Sequence, residues 1–171
     1  GSSAGPLNPL TVSELNDRLL NLQERYPAEA FYAMMNLLGS HDTNRPLFML
    51  DHNAATGSDD SLLDDPNYDW SDAITRLKGV VILQMTMPGA PTIYYGDEVG
   101  LVGPVSYDTA NSTWQDDPYN RQPFPWLDQS GTPFYSHLQS QLEQDALRSY
   151  YTLLTEARNE IPALRTGTFD P

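Results

Sequence analysis

Two polar residues, His41 and Asp42, follow a short apolar run at residues 31–38 after Gly39 and Ser40. If that run is a strand, the two side chains lie at its carboxyl end, where β/α proteins place their working groups. A carboxylate held there can stabilise positive charge that develops in a transition state, and the neighbouring His can donate a hydrogen bond to a ligand hydroxyl. On the residue types alone a second interpretation is favoured, because Ser-His-Asp-Thr-Asn after a strand is a pattern for a helix-capping turn.

Other residues have types that could do chemistry, but their context favours structural roles. Asp97 and Glu98 could form an acid pair, yet the sequence YGDE is more typical of a strand-end turn tied to backbone amides. Residues 59–65 contain two acidic pairs that could bind calcium through oxygen ligands, but they lack EF-hand spacing and favour a solvated loop. His52 and His137 have no partner at ligand spacing, and we expect both at the surface. The sequence therefore predicts no metal site.

The elements that must position these residues are helices alternating with strands. Thr11 and Glu14 have capping-box spacing at the start of the first helix, and Pro27 stops it. The predicted helices cover about 11–26, 72–87 and 138–160, the predicted strands cover 31–38 and 90–95, and the predicted loops cover 51–69 and 100–135. Because alternating strands and helices imply parallel strands joined by right-handed crossovers, the predicted fold class is α/β.

Each predicted helix carries an apolar stripe at helical spacing. The stripes consist of Leu15, Leu19 and Leu22; of Ile74, Leu77, Val81 and Met85; and of Leu142, Ala146, Tyr150, Leu153 and Ala157. Tyr150 and its neighbour Tyr151 are assigned to the buried side of the last helix. Tyr94 and Tyr95 are predicted to be core residues, whereas for Trp114 and Trp126 both packing and stacking on a ligand ring stay open. Two parallel strands alone make no viable sheet, which predicts neighbours from a larger barrel.

The composition limits the classes of partner. The chain has 171 residues, 9 Lys and Arg against 23 Asp and Glu, and a formal net charge of −14. Such a surface repels phosphate backbones and anionic lipid, so we expect no nucleic acid and no membrane partner, while neutral polyhydroxylated ligands remain compatible. There is no Cys, no run near the roughly 18 apolar residues of a membrane span, and no opening signal peptide. Localisation stays open.

Three segments, in order, resemble the α-amylase family of glycoside hydrolases: GSHDTNR at 39–45, MPGAPTIYYGDEVG at 87–100 and DDPYNRQPFPW at 116–126. The resemblance implies a partial TIM (β/α)8 barrel, namely its last two strands with their helices. Residues 1–10 would be a tail or linker, residues 11–166 the C-terminal portion of the catalytic barrel, and residues 167–171 the start of a following segment.

The resemblance also implies roles for four residues. Asp42 matches the family's third catalytic carboxylate, which stabilises the transition state, and His41 matches the His that binds the sugar in the −1 subsite. Asp117 and Arg121 match an Asp and an Arg that contact the sugar further along the minus side. Arg45 lies in the variable tail of its motif, and no role is carried over to it. The family's nucleophile and general acid/base have no counterpart here.

The expected function is therefore part of a retaining α-glucan hydrolase acting on α-1,4, and possibly α-1,6, bonds of starch-like or maltodextrin substrates. Without the nucleophile and the acid, the isolated chain is expected to be inactive and, with open sheet edges, to self-associate. The third segment leans toward the neopullulanase and cyclomaltodextrinase branch. No cofactor is evident, although a calcium ion elsewhere in the parent enzyme stays open. The alternatives are a transglycosylase of the same family and a non-catalytic carbohydrate-binding or scaffold member.

Overall fold

The computed structural model describes residues 10–51, 67–102, 106–108, 113–115, 120–132 and 141–169. The predicted 1–10 tail, the 59–65 acidic pairs, His52, His137 and Asp117 therefore lie outside the described residues, apart from Leu10. The elements in chain order are α1 (Val12–Arg25), α2 (Ala28–Phe31), β1 (Met35–Leu37), α3 (Pro46–Leu50), α4 (Ser71–Thr86), β2 (Ala90–Thr92), a 3-10 turn (Asp97–Val99), β3 (Ser106–Asp108), β4 (Thr113–Gln115), α5 (Gln141–Glu160) and α6 (Pro162–Thr166).

The two predicted strands are present and pair in parallel, with Met35 opposite Ala90 and Leu37 opposite Thr92. Both are shorter than predicted. The start of the first predicted strand is wrong because residues 28–31 form the short helix α2, in which the Phe31 and Tyr32 amides donate to carbonyls of Pro27 and Ala28. A helix at this point agrees with the Ala and Glu content of the segment, since both residues are strong helix formers.

Helix α4 provides the centre of the core, as its apolar stripe predicts. Leu77, Val81 and Met85 are buried and Ile74 is partly buried. Residues from four other segments pack against this face: Leu47 and Phe48 of α3, Trp70, Val102, and Leu147 and Tyr151 of α5. Because α3 follows β1 after the 39–45 turn and α4 leads into β2, this core fixes where the two strand ends lie.

Helix α5 buries a different face from the predicted one. Leu153 is 60% exposed and Ala146 is exposed, whereas the buried residues are Gln144, Leu147, Tyr151 and Arg158. The correction is a shift by one residue, or about 100° around the helix. The prediction weighed apolar residues alone, while the buried stripe includes two polar ones. Tyr150 is half-buried and Leu142 has no described side-chain environment.

Arg158 sets the rotation of α5 against the end of α4. Its Nη1 donates to the carbonyls of Met85 at 2.6 Å and Met87 at 3.2 Å, and its Nη2 donates to that of Gly89 at 2.7 Å. These carbonyls belong to the last turn of α4 and to the turn before β2, where helix carbonyls lack intrahelical partners. The buried Arg158 guanidinium therefore finds its hydrogen-bond acceptors in the backbone that leads into β2.

Helix α1 has the predicted capping box, with the Glu14 amide donating to Thr11 Oγ1 at 3.2 Å and the Thr11 amide donating to Glu14 Oε2 at 2.8 Å. Its apolar stripe is not buried: Leu15 and Leu22 are 40% and 39% exposed, because no described element covers them. None of the described helices is long and apolar enough to cross a membrane.

The predicted loop at 100–135 contains two short strands. β3 and β4 pair antiparallel, with Tyr107 opposite Trp114. Their aromatic and β-branched residues favour strands, but the surrounding Gly, Pro and Asn residues dominated the composition of the segment. The proposed domain boundaries themselves stay predictions.

Candidate active site

The segment at 39–45 leaves the carboxyl end of β1 as a turn held by its own side chains. The Ser40 amide donates to Thr43 Oγ1 at 3.0 Å, and the Asp42 amide donates to Ser40 Oγ at 3.2 Å. These bonds satisfy two backbone amides within the turn. The His41 and Asp42 side chains point to solvent, with 59% and 70% of their surface exposed. The helix-capping interpretation does not hold for α3, whose N-cap is Arg45 and has no side-chain cap.

Asp42 lies between two nitrogen-bearing side chains. Its Oδ2 is 3.3 Å from His41 Nε2, and its Oδ1 is 3.9 Å from Nη2 of Arg121, which is 41% exposed. Exposed pairs of this kind contribute little to stability, about 0–1 kcal/mol, so they do not by themselves explain the grouping. Chemically, the cluster offers a carboxylate to a developing positive charge and N–H donors to ligand hydroxyls. The structure thus brings together three of the four predicted site residues.

Asn120, which the sequence analysis did not single out, joins the Arg121 segment to this turn. It is fully buried, and its Nδ2 donates to the His41 carbonyl. The Tyr94 hydroxyl donates to the Asn120 carbonyl at 3.1 Å, and the Tyr95 hydroxyl donates to that of Gln122 at 2.9 Å. The only available sequence signal was the place of Asn120 next to Arg121 in the DPYNR motif. The end of β2 therefore holds the segment that carries Arg121.

The prediction that Tyr94 and Tyr95 are both core residues is wrong. Tyr94 is half-buried and Tyr95 is 39% exposed. Their rings pack edge to face, with centroids 4.8 Å apart, and their hydroxyls reach the loop carbonyls as described. Burial raises the pKa of Tyr94, as do its contacts with Tyr95, so its hydroxyl stays a hydrogen-bond donor.

Asp97 and Glu98 behave differently from one another. Glu98 accepts the Gly96 amide at 2.7 Å, which fits the predicted strand-end turn. Asp97 is buried, and its Oδ1 lies 3.0 Å from Nη1 of Arg45, which is 0% exposed. Burial raises the pKa of Asp97 to about 7, and the Arg45 guanidinium opposes that rise. No role was predicted for Arg45 from its motif, and its pairing with Asp97 was not predicted.

The remaining candidates are less defined. Trp126 is 66% exposed and its ring centroid is 4.6 Å from that of Phe124, so an exposed indole face remains next to the Arg121 segment. Trp114 lies in β4, and its side chain is outside the described residues. Within the described ranges, no group of three or more His, Asp or Glu residues could hold a metal ion.

Comparison with known proteins identifies the family. Residues 2–167 match the family profile described as "Alpha amylase, catalytic domain". Amylopullulanase of Thermoanaerobacter thermohydrosulfuricus is 36% identical over 163 residues, which cover 95% of this chain and 9% of that protein. Cyclomaltodextrinase of Geobacillus thermopakistaniensis is 35% identical over 94 residues, covering 55% of this chain and 13% of that protein.

A solved structure gives the same result. The ligand-free cyclic alpha-maltosyl-(1→6)-maltose hydrolase of Arthrobacter globiformis superposes with a TM-score of 0.54 and 28% identity, over 93% of this chain and 26% of that one. The chain thus spans about a tenth of the length of the amylopullulanase and about a quarter of the structural neighbour. The catalytic domain of this family implies a TIM-barrel fold. By its sequence and its fold, the chain belongs to the α-amylase family of glycoside hydrolases.

Proposed function

We propose that this chain forms the last two strands and helices of the catalytic barrel of a retaining α-glucan hydrolase, and supplies its transition-state-stabilising carboxylate, Asp42. The observation that carries the proposal is the grouping of Asp42 with His41 and Arg121 at the end of β1. Arg121 is 79 residues away from Asp42 in the sequence, so the fold, and not chain proximity, brings the two together. We call the full-length protein whose barrel would contain this chain the complete enzyme.

The proposed chemistry follows from the charge that develops during glycosidic cleavage. The transition state is oxocarbenium-like, so the sugar ring becomes positive while the bond to the leaving group breaks. A carboxylate beside the ring gains interaction energy only as that charge appears, which lowers the barrier without tightening ground-state binding. His41 would donate a hydrogen bond to a hydroxyl of the same sugar. Arg121 would bind a sugar further along the minus side, together with Asp117, which lies outside the described residues.

Two more carboxyl groups are needed for retaining hydrolysis, one as nucleophile and one as acid and base, at about 5–5.5 Å from each other. Of the acidic residues described beside the strand ends, Asp97 is paired with Arg45 and Glu98 accepts the Gly96 amide. Both carboxylates therefore have structural partners. From the resemblance to the α-amylase family, the proposal assigns the nucleophile and the acid and base to barrel segments outside this chain.

We predict that the 171-residue chain does not hydrolyse maltoheptaose, whereas the complete enzyme does. Oligosaccharide products are measured by chromatography after matched incubations of the two proteins. The control is the Asp42→Asn variant of each. Turnover by the isolated chain that disappears with Asp42→Asn would contradict the assignment of the nucleophile and acid to other segments. A complete enzyme that releases no product from any α-glucan would contradict the proposed function.

The relatives suggest which substrates to include. Amylopullulanases match over 95–97% of this chain, whereas the cyclomaltodextrinases match over 55–84% of it. The higher coverage favours the substrates indicated by the name amylopullulanase. It weighs against the neopullulanase and cyclomaltodextrinase branch, which the third motif resembles. Soluble starch, pullulan and a cyclomaltodextrin, tested side by side, distinguish these possibilities.

Arg121→Ala in the complete enzyme is expected to raise KM for long oligosaccharides severalfold and to leave kcat nearly unchanged. Its bound sugar lies away from the bond being cut, so the lost interaction is the same in the ground state and in the transition state. Kinetics with maltotriose and maltoheptaose measure the effect, which should be larger for the longer substrate.

Arg76→Ala is the control for Arg121→Ala, and it also removes the hydrogen bond from Arg76 Nη1 to the Leu50 carbonyl at 2.9 Å. Arg76 is 40% exposed and its Nη2 lies 3.7 Å from Asp72 Oδ2, but on α4 and not at the strand ends. A fall in kcat with unchanged KM in Arg121→Ala, or equal effects of both variants, would be inconsistent with sugar binding by Arg121.

A further inference from the structure

The ends of β1 and β2 are joined by one buried ion pair, Arg45 and Asp97, called here the anchor pair. Arg45 ends the 39–45 turn, and Asp97 begins the 3-10 turn after β2. The side chains are 0% and 2% exposed. Nη1 of Arg45 donates both to Asp97 Oδ1 and to the Tyr95 carbonyl, and the guanidinium lies 4.4 Å and 4.8 Å from the ring centroids of Tyr94 and Tyr95.

Both ends of the 39–45 turn contact the Asp97 carboxylate. At one end, Arg45 binds Asp97 Oδ1. At the other end, Gly39 packs so closely on Asp97 that a Cβ at this position would collide with Oδ2. Asp42 lies midway between these two contacts, and Asn120 holds the His41 carbonyl from a third side. Asp97 is therefore in contact with both ends of the turn whose middle residue is Asp42, while Ser40 Oγ accepts the Asp42 amide within the turn.

Stability alone is a poor explanation for such a pair. Removing two charges from water opposes their attraction, and buried ion pairs are often no more stabilising than apolar side chains of the same volume. The raised pKa of Asp97 reflects this opposition, since burial disfavours its ionised form despite Arg45. What a charged pair supplies that an apolar pair does not is a directional hydrogen bond, here from Arg45 Nη1 to Asp97 Oδ1, while Arg45 Nε and Nη2 are buried without a hydrogen-bond partner among the described residues.

We propose that Arg45 and Asp97 are positioning residues that hold Asp42 at the correct place for the glycosidic transition state. The proposal rests on the proposed function of Asp42. Displacing a group by about 1 Å can lower a rate by about 10²-fold, so a turn that relaxes without unfolding is enough to impair catalysis.

The first test separates positioning from folding in the complete enzyme. Asp97→Asn is expected to lower kcat tenfold or more, with KM for maltotriose within about threefold of the original, and also to lower the melting temperature because it leaves Arg45 buried without a countercharge. The double variant Arg45→Met/Asp97→Leu removes both charges. It should recover most of the melting temperature while kcat stays low. Recovery of kcat together with the melting temperature would overturn the proposal.

Arg158→Met is the control for losing a buried arginine. Arg158 binds backbone carbonyls near the start of β2 and has no described contact with the 39–45 turn. It should lower the melting temperature and leave kcat within about twofold. A tenfold loss of kcat in this variant would show that general destabilisation, and not the anchor pair, controls the rate.

The second test asks whether the anchor pair acts through Asp42. In an Asp42→Asn background, Asp97→Asn should change kcat by less than about threefold, because the group being positioned is already lost. An equal fold-change in both backgrounds would contradict positioning of Asp42. If Asp42→Asn alone has no effect on the rate, the proposed function fails instead. If Asp42→Asn lowers the rate strongly and the Asp97 effects are merely additive, only the positioning proposal fails.

Discussion

In the complete enzyme, Asp42→Asn should lower kcat and kcat/KM together by about 10²–10³-fold. Asn keeps the size of the side chain but removes the negative charge that would face the oxocarbenium-like ring. Because that charge interacts with a transition state and not with a neutral substrate, KM for maltooligosaccharides should change little. Steady-state kinetics on a nitrophenyl maltoside and on maltoheptaose provide both constants, and a melting curve checks that the variant is folded.

The chain offers a closely matched control for this substitution. Asp72 is 73% exposed against 70% for Asp42, and its Oδ2 lies 3.7 Å from Nη2 of Arg76, against 3.9 Å between Asp42 Oδ1 and Nη2 of Arg121. Asp72→Asn therefore removes the same charge from a similar surface pair, but from the first turn of α4. It should leave kcat unchanged. An Asp42→Asn enzyme within threefold of the original, or an Asp72→Asn enzyme that loses as much activity, would refute the role of Asp42.

The parts of the site that could be predicted from the sequence are those with local motifs. His41 and Asp42 are adjacent, and their position after an apolar run is enough to place them at the end of β1. Arg121 was predicted to act at the same site from its motif, and the structure brings it to 3.9 Å from Asp42. The role of Asp117 and the catalytic role of Asp42 stay predictions.

The parts that could not be predicted depend on contacts between distant residues. Arg45 and Asp97 are 52 positions apart, and neither stands out locally, because an Arg before a Pro and an Asp after a Gly are common in exposed turns. Their pairing follows only when β1 and β2 lie side by side. The face of α5 was missed for a related reason: Gln144 and Arg158 are polar, and a stripe defined by apolar residues cannot include a buried cation whose partners are carbonyls at and beyond the end of α4.

Secondary-structure boundaries failed where local preference and tertiary pairing compete. Residues 31–38 are apolar enough for a buried strand, but β1 keeps only the three residues that find a partner in β2. The residues before them form α2 because Pro27 starts a helical turn in an Ala- and Glu-containing segment. In contrast, α4 was predicted to within one residue at each end, since it combines a long periodic stripe with Pro88 and Gly89 just beyond its end.

The 171-residue chain, produced alone, should self-associate in solution. In the described part of the chain, β1 and β2 pair only with each other, so each has one open edge that can pair with another chain. Apolar side chains are exposed beside these edges: Met35 at 61%, Leu37 at 49% and Ile93 at 37%. A cleft of about 440 Å³, lined in part by Ile93, Tyr95 and Tyr151, opens between the segment after β2 and α5.

We expect a closed dimer or small oligomer and not open-ended aggregates, because a net charge of −14 opposes the growth of large assemblies. Size exclusion with light scattering over a range of concentrations measures the mass against the 19.1 kDa of the single chain. Met35→Lys should shift the distribution toward monomer, since a charge at a strand edge discourages pairing. Ala146→Lys adds the same charge at an exposed position on α5 and should not. A concentration-independent 19.1 kDa monomer that unfolds cooperatively would mean that the two strands need no barrel neighbours.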